Sequence, residues 1–147
     1  MCDHCGCRDF APVAELTAEH ETILELAWEV AEQARAGHRP AAEAGPLLAL
    51  LERHSAKEET GLYPELLGVG ALEVDVIDRL EAEHRSLRSC LVGGTFDRRA
   101  FLALAAHIEE EELELFSAAM LWFDDDEWNA AGAAHRAVDD VAPRAVS

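Results

Sequence analysis

At 147 residues the chain has the length of one domain with a sizeable core; half of its residues are apolar, aromatics are few, and Ala, Leu and Glu abound, which favours helix over strand. A formal charge of -18 argues against nucleic-acid or anionic-membrane partners, since both are held by basic patches, and suits a protein that attracts cations. No apolar run approaches the roughly 18 residues of a membrane span and no basic-then-apolar leader opens the chain, so a cytoplasmic location is expected.

Residues 1–12 form a segment of their own, in which Cys2, His4, Cys5 and Cys7 crowd four soft or borderline donors into six positions. CxxC is a zinc or redox spacing, but a hexapeptide wraps a metal tetrahedrally only under strain. Three readings stand: a redox dithiol, a zinc site completed by another segment or chain, or an end without a role. The first helix is expected over 13–36, stopped by Gly37 and Pro40. The second begins between residues 41 and 46 and ends near 67, with Pro64 inviting a kink or an early end. The third runs from Asp75, read as its N-cap, to about 91, ahead of Gly93 and Gly94. Cys90 is expected as a buried core thiol. The fourth extends from Asp97 to about 123. Residues 124–147 then form an extension in which Asp124 to Glu127 open a short fifth helix, with the chain frayed from Pro143 onward. Connections this short predict an all-α protein, an antiparallel up-down-up-down four-helix bundle over 13–123.

Two copies of one pattern run through the bundle. LTAEHETI at 16–23 returns as LEAEHRSL at 80–87, and HSAKEETGLY at 54–63 returns as HIEEEELELF at 107–116. Each helix interrupts its apolar stripe with a His: His20, His54, His84 and His107 occupy steps where core residues belong. Glu58 and Glu111 follow on the same face, one turn after His54 and His107. Chance supplies about one or two His-x-x-x-acid pairs in this composition, and the chain has three. His135/Asp139, outside the duplication, is read as a chance pair on a solvated face. The other two recur in matching context on apolar stripes. Ionised carboxylates in an apolar core demand a cation, and two converging there repel each other unless something positive lies between them. Imidazole with carboxylate suits iron, manganese or zinc, and four His with two bridging carboxylates describe a dinuclear site, best fitted by di-iron.

These residues resemble the hemerythrin, or HHE cation-binding, family, whose pattern is His on the first helix, HxxxE on the second, His on the third and HxxxE on the fourth. The resemblance covers about 13–123 and rests on LTxEH, HxxxEExxLYP and HxxxEExxxF. It implies a four-helix bundle around two non-haem iron ions of the Fe-O-Fe type, bridged by Glu58 and Glu111, with His20, His54, His84 and His107 as terminal ligands. Oxygen-carrying members have a fifth His one turn before the third-helix His. Leu80 stands there in this chain, which puts simple oxygen carriage in doubt and leaves a ligand position that Glu81, three residues before His84, has the spacing to fill. Glu59 and Glu112 point about 100° from the ligand stripe, and most of the acidic run 109–114 is expected to be solvated, Glu111 excepted. Trp28, Tyr63, Phe116 and Trp122 are candidates to wall the interior.

The leading expectation is a protein that binds O2, NO or peroxide at a di-iron centre, for sensing, detoxification or storage. Its alternatives are a peroxidase or catalase-like enzyme fed by the N-terminal thiols, and an iron-responsive sensor or store whose folded state a protein partner reads.

Overall fold

Each amphipathic segment forms a helix near the place its Gly and Pro punctuation marks. The computed structural model describes residues 10–39 and 41–141, and all regular structure among them is helical. The segment carrying Cys2, His4, Cys5 and Cys7 lies outside the described residues, as does the expected fraying from Pro143. The first bundle helix is α1 (Ala11–Arg35). The second comprises α2 (Ala44–Lys57), a π-helical turn (Glu58–Leu62) and α3 (Tyr63–Gly68). The third is α4 (Val74–Val92). The fourth repeats the composite form of the second as α5 (Arg98–Glu110), a π-helical turn (Glu111–Leu115) and α6 (Phe116–Trp122). A final helix, α7, spans Asp125–Val141.

Local chemistry explains the boundaries. Gly37, Gly70 and Gly94 take φ of +83°, +76° and +70°. At each, the next residue's N–H reaches back across the helix end, as from His38 to the Gln33 carbonyl at 2.8 Å, a glycine-dependent closure of the last turn. Asp97 caps the fourth helix by accepting from the Ala100 N–H at 3.0 Å. Asp75 is not the N-cap of the third helix: Glu73 holds that place, and Asp75 sits in the first turn, where its charge opposes the positive helix end. Pro64 does not end the second helix. It falls at the start of α3, directly after the π-helical turn, where its missing N–H is tolerated.

Both π-helical turns begin at the Glu of an HxxxE pair and are five residues long. The added residue resets the register, so that His54 and Glu58 face inward and Leu62, Tyr63 and Leu66 still return to the core; His107, Glu111, Leu115, Phe116 and Ala119 do the same in the fourth helix. α1 packs against α2 and α5, and α4 packs against the same two. The apolar residues form two clusters. One is built on Ile23, Leu47, Leu51, Leu87 and Leu104, the other on Leu16, Leu62, Tyr63, Leu80 and Phe116. The histidines lie between them in sequence on all four helices. Trp28 and Trp122 are exposed rather than interior, and Cys90 is half-buried at the edge of the first cluster.

The extension is more than a short helix: α7 has 17 residues and lies across α1, α2 and the first π-helical turn. Gly61 makes this approach possible, since a Cβ there would stand 3.2 Å from the Ala134 Cβ and 3.4 Å from the His135 ring. Phe10 stacks on Trp128, and Phe123 meets the same indole edge-on, pinning the start of α7. Gly61→Val is therefore expected to lower stability by about 1–3 kcal/mol. Hydrogen exchange should speed first in α7; unchanged exchange there would show that this contact does not hold it.

Candidate metal centre

Four helices turn one His each toward a common point, and the two HxxxE pairs add a carboxylate one turn on. His20, His54, Glu58 and Glu111 each offer a ligand atom within one 4.8 Å group, and Glu58, His84, His107 and Glu111 form a second. All six are buried, Glu58 and Glu111 completely. Both carboxylates belong to both groups. Glu58 Oε1 lies 3.4 Å from His54 Nε2 and 3.2 Å from His84 Nε2, while Glu111 Oε1 lies 3.4 Å from His20 Nε2 and 3.1 Å from His107 Nε2. His84 and His107 meet through their Nε2 atoms at 3.0 Å. The structure does not bring Glu81 into either group; it is half-buried on α4, and Leu80 is fully buried among the apolar residues.

The outer nitrogen of each His is held in the same way. His20 Nδ1 pairs with Glu112 at 3.1 Å, His54 Nδ1 with Glu19 at 2.9 Å, His84 Nδ1 with Glu59 at 3.1 Å and His107 Nδ1 with Glu83 at 2.8 Å. An ionised carboxylate can only accept, so each Nδ1 carries a proton and each Nε2 faces the centre, where losing its own proton leaves the tautomer a metal requires. The four acceptors were not anticipated. Glu112 and Glu59 do point away from the ligand stripe, but the direction they take meets the adjoining helix before it meets solvent. The repeated Glu-His and Glu-Glu pairs at 19–20, 83–84, 58–59 and 111–112 were the signal for them.

Tyr63 donates its O–H to Glu111 Oε2 at 2.7 Å and stacks on His84 at 6.1 Å between centroids. Phe116, its counterpart in the duplication, stacks on His20 at 5.5 Å. Lys57 is 1 % exposed, with Glu15, Glu19 at 2.7 Å and Asp139 at 3.0 Å around its ammonium. His135 is buried rather than solvated, its Nδ1 bonded to Glu15 at 3.1 Å, because α7 folds back over this face.

Among its own residues the centre has positive charge only as protons on the imidazoles. His20 Nε2, His54 Nε2, both Glu58 oxygens and Glu111 Oε1 are buried without a hydrogen-bond partner, and all belong to the two groups. So many orphaned acceptors in one place fit a pair of cations. Protons are drawn to the same field. Burial opposes protonation of the imidazoles, yet the Glu58 charge and the bond to Glu19 carry His54 up to about 10, and the adjacent Glu58 carboxylate with the bond to Glu59 carries His84 up to about 9. Burial raises Glu19, but bonds from His54 and Lys57 outweigh it and hold its carboxyl near 2.

Two His-and-carboxylate groups sharing both carboxylates within a helical protein make a cation-binding centre, with donors of the type that takes first-row metals. The family model of the Hemerythrin HHE cation binding domain matches residues 11–119, and the chain belongs to this family. No curated protein and no solved structure gives a significant match.

The imidazole shifts set a pH dependence. A His whose folded pKa is raised stabilises the fold fully below its unfolded value of 6.5, and this is lost as pH climbs through 9 to 10. The metal-free protein is expected to melt at least about 5 °C lower at pH 10 than at pH 6.5. Zinc- or iron-loaded protein should hold or gain stability over this window, because bound metal needs the neutral imidazole. Thermal melts of both forms check the sign; a metal-free protein more stable at pH 10 would contradict the assigned imidazole charges.

Proposed function

We propose that the protein holds two non-haem iron ions in an up-down-up-down four-helix bundle and binds O2, NO or peroxide there, in the cytoplasm, for sensing or detoxification. The observation that supports this best is the pair of buried carboxylates shared between two sets of imidazoles. The alternating course is supported by the order of the clusters along the chain: α1 and α4 pass from the Leu16/Leu80 cluster to the Ile23/Leu87 cluster, and the second and fourth helices pass the other way.

In this reading His20 and His54 hold one ion, His84 and His107 hold the other, and Glu58 and Glu111 bridge them. When bound, the iron pair supplies two electrons and open coordination positions. The chain supplies the rest. Glu19, Glu59, Glu83 and Glu112 fix the ring planes and make each imidazole a stronger donor by drawing on its Nδ1 proton. Tyr63 holds one oxygen of Glu111 through its hydroxyl and so orients that carboxylate. Leu16, Leu62, Leu80 and Phe116 keep bulk water away, which sharpens every electrostatic interaction inside. Two carboxylates for two ions leave net positive charge, which favours reduced oxygen species and other small anions.

Iron analysis with the optical spectrum tests the assignment. Protein purified with iron should carry close to two ions per chain, with an iron-ligand charge-transfer band that changes on anaerobic reduction and re-exposure to air. Glu58→Ala and Glu111→Ala are each expected to bring the content to one ion or fewer and to abolish the band. Two irons retained in either variant would refute the bridging roles.

A further inference from the structure

The duplication aligns helix one with helix three at an offset of 64 residues and helix two with helix four at 53, so every residue near the centre has a counterpart. Where counterparts differ, the halves of the centre have become unequal.

A groove of about 360 Å³ lies between the second and third helices, lined by Ser55, Ala56, Glu59, Thr60, His84 and Arg85. The corresponding place between the fourth and first helices has Ile108, Glu109 and Leu113 where the groove has Ser55, Ala56 and Thr60. Ile108 is buried there, and the larger Glu109 and Leu113 stand exposed beside it. A second groove, about 280 Å³, opens between the third and fourth helices beside His107, where Ala103 and Ala106 stand in place of Leu50 and Arg53. The equivalent face of helices one and two is the one that α7 crosses. Both grooves thus touch the His84/His107 half, whose imidazoles are 6 % and 5 % exposed against 1 % and 2 % for His20 and His54.

The flanking charges have been exchanged as well. Lys57 corresponds to Glu110 and Glu15 to Arg79, so the same ion pair occurs twice with its signs reversed. In the first half its cation is buried and also holds α7 through Asp139. In the second half Arg79 is 46 % exposed and bonds Glu83 and Glu110 at the surface.

We infer that the half of the centre held by His84 and His107 is the one that admits a small exogenous ligand, through the groove between the second and third helices past Ser55, Ala56 and Thr60. The inference rests on the di-iron reading above and adds a side and a route to it. The wider groove is favoured over its neighbour because Arg85 and Arg88 stand at its lining whereas Glu83 and Glu110 line the other. A neutral diatomic molecule or a small anion meets two carboxylates there, Glu52 and Glu59, whose charges are engaged by Arg88 and His84. Lys57, Asp139 and α7 serve the opposite half by shutting it.

Azide added to the diferrous protein is the probe. Each ligand His donates its Nδ1 proton to a separate Glu, so the paramagnetic protein should give four exchangeable, strongly shifted proton resonances. Glu59→Gln marks that of His84 and Glu112→Gln that of His20. Azide is expected to move the His84 and His107 resonances and leave the other two nearly in place. Ala56→Trp and Thr60→Phe, both at the groove, should slow azide binding by about tenfold or more, because a close-packed wall leaves no passage. Glu109→Trp, the counterpart of Ala56 on the closed side, should leave the rate within about twofold. Movement confined to His20 and His54, or unchanged rates in both groove variants, would overturn the inference while leaving the di-iron reading intact. A two-iron protein that takes no azide would overturn both, and a protein without two irons would overturn the parent reading directly.

Discussion

Two carboxylates with no solvent exposure, Glu58 and Glu111, face one another across the centre of the bundle, and the rest of the structure is organised around that cost. Two ionised acids in a low-dielectric interior repel each other and forgo hydration, so the fold persists only with positive charge between them. Four imidazoles are placed to provide it as protons or to hold it as metal. This explains why the histidines replace core residues instead of decorating the surface. It also explains why each imidazole is backed by an acid: Glu19, Glu59, Glu83 and Glu112 keep the second nitrogen protonated, so that the first always faces inward. Charge alternates outward from the centre, with carboxylate, imidazole and carboxylate in turn, and on one side Lys57 adds a fourth layer.

The π-helical turns serve the same constraint. A straight α-helix that presented His54 and Glu58 inward would carry the next apolar residues progressively off the core face. One extra residue, inserted at the Glu of each HxxxE pair, lets both helices contribute two ligands and then resume packing with Leu62 and Tyr63 or Leu115 and Phe116. That the insertion occurs at the same step in both halves ties it to the ligand pair and not to local strain.

Much of this was legible in the chain itself. The four His and two Glu were read from stripes in which polar residues occupy core steps, a signal that depends only on helical period, and the structure brings those six together. What escaped was lateral. Glu112 and Glu59 follow a candidate ligand by one residue and so point about 100° off the stripe, yet in a bundle that direction leads to the next helix. His135 was set aside for lying outside the duplication, although its burial depends on α7 folding back onto Gly61, a long-range contact that no local period encodes. Asp75 was a reasonable cap by type, but the N-cap falls two residues earlier, at Glu73.

Duplication supplies symmetry, and the substitutions since then have removed it selectively. Tyr63 and Phe116 differ by one hydroxyl: Glu111 therefore has a hydrogen bond that Glu58 lacks, and the two central carboxylates are inequivalent. The exchanged ion pair adds to this, since a cation buried beside Glu19 lowers the basicity of the acceptor behind His54, whereas the exposed Arg79 beside Glu83 is screened by water. His54 is thereby the less electron-rich donor of that pair of counterparts. Covering helix, buried cation and missing hydroxyl fall on one half; grooves, small side chains and phenol fall on the other. A site made of two equal copies would have no reason to favour either side, and each of these departures makes the copies less equal in the same sense.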